Sequence, residues 1–211
     1  QRRALFAAPR MSQLFARLQR LFDEGHGVEL PDLLNDQRFA DPDPRPAAVL
    51  IPVVERPDSE GGPTAILTKR LDDMRKHPGQ VAFPGGRIDP GEDAVEAALR
   101  EAHEELALEP AHVRVVGATD RYVTGTGFEI TPVLGVVPPG LPLKPNPGEV
   151  EAWFETPLSV LLDRANWSRN TVFWKGADRT YYEMEWDGFH IWGVTAAIIV
   201  NLSRRLAWVE S

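Results

Sequence analysis

Between residues 11 and 25 apolar side chains recur every three or four positions, at Leu14, Phe15, Leu18, Leu21 and Phe22, the period of a helix that buries one face. Residues 41–46 then read Asp-Pro-Asp-Pro-Arg-Pro, a stiff connector. Residues 1–45 are therefore expected to form an N-terminal helical extension and connector, and residues 46–211 the main domain. From Ala47 the period changes. Short apolar runs bounded by Gly and Pro predict strands at 48–54, 64–69, 80–83, 113–118, 129–137 and 149–154. Between the third and fourth of these, Val95, Ala98, Leu99, Ala102 and Leu106 form a stripe at helical spacing that would seat a helix on a core. Thr156 and Pro157 read as the cap and first position of a short helix through Leu162, and residues 171–175 with 180–186 as a hairpin. The longest apolar stretch, residues 191–200, is about half the length of a membrane span. It runs into Asn201, Ser203, Arg204 and Arg205, so it predicts a buried C-terminal helix with cations at its negative end. The pattern as a whole predicts an α+β sandwich.

Composition narrows the function more than the fold. A chain of 211 residues, 43% hydrophobic, can bury one core with an appended N-terminal element. A net charge of −8 argues against a general nucleic-acid surface, because neutralising phosphates needs a basic face. The expected partner is a small molecule, with no nucleic acid and no membrane; a homodimer is allowed but not specified. The absence of cysteine removes disulfides, thiolate zinc sites and cysteine nucleophiles. Nothing contradicts a cytoplasmic location, which is the expectation. Residues 1–10 are arginine-rich and acid-poor, a better fit to an amphipathic surface helix than to a transit peptide. Since the first residue is Gln, the removal of a leader stays open.

The candidate chemistry is concentrated on the predicted helix. Glu101, Glu104 and Glu105 stand at i, i+3 and i+4, so a helix puts them on one face. Like charges at that spacing cost a few tenths of a kcal/mol per pair without a cation. Hard oxygen donors of this kind select Mg²⁺ or Mn²⁺ rather than zinc. A solvated acidic face is the plain alternative, but a glycine-rich turn, Gly85-Gly86, leads directly into the segment. Upstream, Lys69, Arg70, Arg75, Lys76 and His77 make a concentrated basic patch suited to phosphate; Asp72 and Asp73 would partner it if it were only a solvated loop. Of the tryptophans Trp153, Trp174, Trp186 and Trp192, the sequence does not choose a base-stacking residue.

Residues 86–108 resemble the Nudix box, with Gly86, Glu92, Arg100, Glu101, Ala102, Glu104, Glu105 and Leu108 in register. The one departure is Ala107, where the motif has Gly near the helix C-terminus. The resemblance implies a Nudix-like α/β/α sandwich of mixed sheet with a box helix and a C-terminal helix. It also implies a hydrolase in which divalent ions offset diphosphate charge and lower the pKa of a water that attacks phosphorus. Glu101, Glu104, Glu105 and the Gly86 carbonyl are the implied metal ligands. Glu104 and Arg100 are counted with the catalytic residues, and Glu92 is expected to serve the helix start. Nudix enzymes often draw a general base from outside the box. Glu149 is the candidate, Glu151 a strand-end alternative, and Glu129 a poorer one.

A narrower likeness lies upstream. Ile66-Leu67-Thr68-Lys69-Arg70, Arg75, Gly79 and Phe83-Pro84-Gly85-Gly86 are similar to the signature of the coenzyme A pyrophosphatase branch, with Ile66 for a usual Leu and Leu71 for a usual small residue. Residues 131–134, 146–150, 154–158 and 191–196 are similar in kind and order, so the match covers roughly residues 45–207. It implies cleavage of coenzyme A or acyl-CoA to 4′-phosphopantetheine and adenosine 3′,5′-bisphosphate, with Lys69, Arg70, Arg75 and His77 binding substrate. The rivals are another nucleoside diphosphate, such as ADP-ribose or a dinucleotide, and a catalytically silent Nudix-fold module.

Overall fold

The computed structural model describes residues 12–71 and 79–208. Residues 1–10, with their arginines, and Arg75, Lys76 and His77 of the basic patch lie outside the described residues. The chain begins with α1 (Gln13–His26), whose N-terminus is capped by Ser12 Oγ accepting from Phe15 N at 3.1 Å. It continues through β1 (Arg45–Val54), β2 (Thr64–Arg70), β3 (Val81–Ala82), β4 (Gly85–Arg87), α2 (Ala94–Leu106), β5 (Arg114–Ala118), β6 (Tyr122–Val123) and β7 (Phe128–Val137). The remainder is β8 (Val150–Pro157), α3 (Leu158–Leu162), β9 (Ser168–Trp174), β10 (Ala177–Trp186), β11 (Phe189–Trp192) and α4 (Gly193–Leu206).

Among the described residues eight strands form one mixed sheet in the order β3-β2-β1-β7-β5, with β4 on β1, β6 on β7 and β8 on β2. β1 and β7 run parallel over their full length, whereas the other pairs are antiparallel. β1 is shared unequally: Ala47–Val49 pair with β4, and Val53 and Val54 with β2. Strand alternation sends Ala48, Leu50, Ile66, Val133 and Val137 to a core beneath α2. The opposite set, Ile51, Val53, Leu67, Leu134 and Val136, packs with α1, α3 and α4. The result is an α/β/α sandwich, the fold class read from the sequence. Among the described residues no helix is long and apolar enough to cross a membrane.

Three local expectations need correction. The glycine turn that follows residues 80–83 is itself a short strand, β4, because Gly85 and Gly86 lie close against Val49 and Ala48 of β1. Pro157 caps α3 while Thr156 stays in β8, and Leu158 N finds its acceptor in the Pro63 carbonyl at 2.9 Å, so no side-chain cap is needed. Ile191 and Trp192 belong to β11, paired with Met184 and Glu183, and Gly193 at φ 66° turns the chain into α4. The hairpin is present as β9 and β10, turned by Lys175 and Gly176, both at positive φ.

α1 packs on the domain through Leu18, Leu21 and Phe22 and is pinned near its C-terminal end by a dense polar contact. Gly25 lies so near the Arg205 carbonyl that a Cβ there would collide with it. Arg205 Nη1 donates to Gly25 O at 2.7 Å and Val28 O at 2.6 Å, while its Nε and Nη2 grip both oxygens of Asp120 at 2.8 Å. Burial opposes charge on Asp120, but the Arg205 hydrogen bonds more than offset it and hold the carboxyl below its usual range. Asp120→Asn should therefore cost roughly 3 kcal/mol at neutral pH by leaving a buried guanidinium half-paired. The folded pKa is depressed, so this stabilisation is present above the unfolded value of about 3.9 and is lost as pH falls through the folded value. Urea titrations should show the gap between wild type and variant closing between about pH 5 and about pH 2; a gap that ignores pH would contradict the assignment.

Candidate active site

α2 is built to hold its side chains in fixed rotation. Asp93 caps it through Glu96 N at 2.9 Å, and Glu96 returns the bond to Asp93 N at 2.9 Å, closing a capping box. Ala97, Ala98, Ala102 and Leu106 bury its inner face. Its end is formed by Ala107 in the left-handed region at φ 53°, with Ala107 N donating to His103 O at 2.8 Å and Leu108 N to Ala102 O at 3.4 Å. Ala supplies here, at some strain, the turn that Gly would adopt freely.

Glu92 does not cap the helix. It accepts Arg100 Nε at 2.7 Å and Nη2 at 3.0 Å, as well as Asp89 N at 3.0 Å. The Arg100 hydrogen bonds, foremost, hold its carboxyl below the usual range. Arg100 Nη1 also reaches Glu101 at 2.8 Å and Glu104 at 3.4 Å, and Nη2 donates to Arg87 O at 3.0 Å. Arg100 thus ties three box carboxylates to the backbone of β4.

The three metal candidates on α2 are not equivalent. Glu105 is 3% exposed and points inward. Glu101 lies between, and Glu104 is on the outer side with Arg100, its side chain 52% exposed. Glu101 and Glu105, but not Glu104, line a cleft of about 590 Å³ together with Glu149, Arg70, Gly85 and Gly86. A Cβ on Gly86 would strike the Glu101 carboxylate, so glycine there makes room for it. Burial, Glu101 and Glu149 push the Glu105 carboxyl up to about 8 even though Arg70 and the Gly85 backbone pull the other way. Glu101 is raised as well, by burial first and then by Glu104 and Glu149, against Arg100. Arg70 Nε is buried and makes no hydrogen bond.

Sequence reasoning placed Lys69 and Arg70 together, but adjacent strand residues point apart. Arg70 enters the cleft; Lys69 pairs with Glu151 at 3.0 Å and lines a neighbouring cavity. Glu129 pairs with Arg121 at 3.1 Å, and His103 with Glu109 at 3.2 Å, both away from the cleft lining. The sequence reading placed Phe83 and Val194 in family-like segments but gave no site role to the apolar lining of the cleft, made by Phe83, Phe128, Ile130, Val194 and Ile198 with Thr124 and Thr126. Its apolar members look like any core residues in the chain. The loop at 124–127 is held closed by Thr124 Oγ1, which accepts from Phe128 N at 2.9 Å, and from outside by Lys175 Nζ donating to Gly125 O at 2.7 Å. The Trp174 ring lies flush against Gly125.

Among the described residues no group of three or more acidic or histidine side chains is placed to hold a metal ion as it stands. The donors nevertheless fit a hard divalent cation: Glu101, Glu105 and Glu149 bring carboxylate oxygens into one partly desolvated cleft, and two of them resist ionisation without a counter-charge. Residues 44–175, well over half of the chain, match the NUDIX domain. The chain belongs to the Nudix family.

As a Nudix hydrolase it is an enzyme of diphosphate linkages, of a family that acts on small nucleoside diphosphates and generally requires divalent metal ions. It is 39% identical over 191 residues to a protein of Enterobacter sp. (strain 638) described as an uncharacterized Nudix hydrolase NudL, covering 87% of this chain and 97% of the relative. To the Escherichia coli (strain K12) protein of the same description it is 40% identical over 163 residues, covering 77% and 83% of the two chains. Among solved structures it is similar to the Nudix hydrolase RenU from M. smegmatis, with a TM-score of 0.48 and 24% identity over 57% of this chain and 75% of that one.

Two measurements test this geometry. Ala107→Gly should stabilise the protein by about 1 kcal/mol by relieving the left-handed alanine, seen as a higher urea midpoint with unchanged slope; a loss of stability would contradict it. In the absence of divalent ions Glu105→Gln should be at least as stable as wild type, since it removes a buried charge from a repulsive cluster. Adding Mg²⁺ or Mn²⁺ should stabilise wild type by about 2.7 kcal/mol at a hundred times the dissociation constant and the variant far less. Equal thermal shifts in both would place the cation elsewhere.

Proposed function

We propose that the protein hydrolyses the diphosphate of coenzyme A or acyl-CoA to 4′-phosphopantetheine and adenosine 3′,5′-bisphosphate, with Mg²⁺ or Mn²⁺ as cofactor. The observation that carries this reading is that Arg70, Phe83, Gly85 and Gly86, all from the coenzyme A-type signature, line the same cleft as Glu101, Glu105 and Glu149. Glu101 and Glu105 are the proposed ligands of the cation, joined by the Gly86 carbonyl, and Glu104 is the proposed contact for a second cation at the rim. When bound, such an ion offsets diphosphate charge and lowers the pKa of nearby water. Glu149, facing Glu101 and Glu105 across the cleft, is the proposed base that takes the proton from the attacking water. The buried Nε of Arg70, which makes no hydrogen bond, is suited to a phosphate oxygen, for which a charge-assisted hydrogen bond is worth more than a neutral one. Arg100 acts through the carboxylates it holds, Arg75 and His77 are the proposed readers of the 3′-phosphate, and Lys69 is a proposed substrate contact in the neighbouring cavity.

The test is a panel of coenzyme A, its 3′-dephospho form, ADP-ribose and a dinucleotide with Mg²⁺ or Mn²⁺, products resolved by mass. Coenzyme A should exceed the dephospho form in kcat/KM by about ten- to a hundredfold, the worth of one charged contact, and Arg75→Ala should shrink that ratio. Glu149→Gln should lower kcat by roughly 10²–10⁴, and solvent oxygen should appear in a phosphate product. Equal rates on the two coenzyme A forms with faster ADP-ribose turnover would move the substrate to ADP-ribose; no turnover of any of them would favour a silent binding module.

A further inference from the structure

Beside the carboxylate cleft is a second cavity of about 390 Å³, lined by Lys69, Gln80, Val81, Phe189, His190 and Trp192. Gln80 lines both, so the two spaces border one side chain. The wall of this cavity is unusual for an open surface. Trp192 is 39% exposed although it sits at the end of a strand where a polar residue would suffice. Its ring is not loose: His190 lies nearly parallel to it, 6.0 Å between centroids and 13° between planes, and Tyr181 meets it edge-on at 6.4 Å. His190 is in turn oriented by Glu183, 2.9 Å from Nε2. Phe189 is pinned by stacking on Phe154, 3.8 Å between centroids and 8° between planes. A rigid aromatic face open to solvent, beside an amide and an ammonium group that can meet a heteroatom edge, is the chemistry that receives a planar heterocycle.

We propose that this cavity is the nucleobase subsite: the base of the substrate stacks on Trp192, with Gln80 and Lys69 at its edge, while the diphosphate lies among Glu101, Glu105, Glu149 and Arg70. The proposal rests on the reading of the substrate as a nucleoside diphosphate, but not on its being coenzyme A. It assigns Trp192, of the four candidate tryptophans, as the residue that touches substrate. Trp153 instead packs against the core beneath α2, Trp174 against Phe39 and the 124–127 loop, and Trp186 against the core of α1, α3 and α4.

The experiment compares two ligands that differ only in the base, adenosine 5′-monophosphate and ribose 5-phosphate, titrated calorimetrically into the full chain with Mg²⁺ present. Wild type should bind the adenosine compound about tenfold more tightly, the worth of one base on an aromatic ring. Trp192→Ala should erase that ratio while leaving ribose 5-phosphate affinity unchanged, which also reports an intact fold; Trp192→Phe should keep most of it. The same ratio in wild type and Trp192→Ala, or no difference between the ligands in wild type, would overturn the proposal. Coenzyme A turnover, measured separately, tells the two readings apart: a base effect that depends on Trp192 without coenzyme A hydrolysis leaves this subsite standing and removes the substrate, and hydrolysis without the base effect does the reverse.

Discussion

The constraint on which the rest depends is electrostatic. Glu101, Glu105 and Glu149 are brought from two parts of the chain into one partly buried cleft, and Arg70 and Arg87 are cations lining it with them. Such an arrangement opposes folding by itself, so it persists only because other elements over-determine it. α2 is capped at its start, buried along one side and turned sharply at its end. Arg100 links three of its neighbouring carboxylates to β4. The turn that delivers Glu149 is tied back to the helix by Asn146 N donating to Glu105 O at 2.8 Å, and to β2 by Leu71 N donating to Glu149 O at 3.3 Å.

Most of the architecture could be read from hydrophobic period alone, because β1 and β7 are long, β-branched and buried on both faces, and α2 carries an uninterrupted apolar stripe. What escaped that reading was short or made of glycine. β4 has no side chain beyond Arg87 to give it a period; it is a strand because its backbone fits against β1. β11 is four residues long and merges by composition with the apolar helix that follows, and only Gly193 separates them. The capping of α3 escaped for a different reason, since a distant carbonyl does what a local side chain was expected to do.

At the site, spacing located the carboxylates but could not rotate the helix. Residues at i, i+3 and i+4 share a face in projection, yet the buried edge of α2 runs between Glu104 and Glu105, leaving one in solvent and the other almost without it. The stripe Val95, Ala98, Leu99, Ala102 and Leu106 gave the packed face, with Ala98, Ala102 and Leu106 buried and Val95 and Leu99 against the same core, while Ala97 and Glu105 at its edge were not read as buried. In the apolar wall of the cleft Phe128, Ile130 and Ile198 had no local signal, whereas Phe83 and Val194 lay in family-like segments. Val194 and Ile198 come from the far end of the chain, and their role is a product of topology.

The clasp between the hairpin and the 124–127 loop has a consequence for what counts as the foldable unit. The family match closes at residue 175, in the turn where Lys175 reaches back to Gly125. Everything after it, β10, β11 and α4, supplies one half of the interior as well as a wall of the cleft. A fragment ending at the family boundary would keep every box residue and the sheet face beneath α2, and lose α4 and the strands that cover the opposite face. A boundary drawn by motif therefore cuts through the core on the far side of the sheet, where Ile191, Ala196, Ile199 and Leu202 pack with Leu67, Leu134 and Val136.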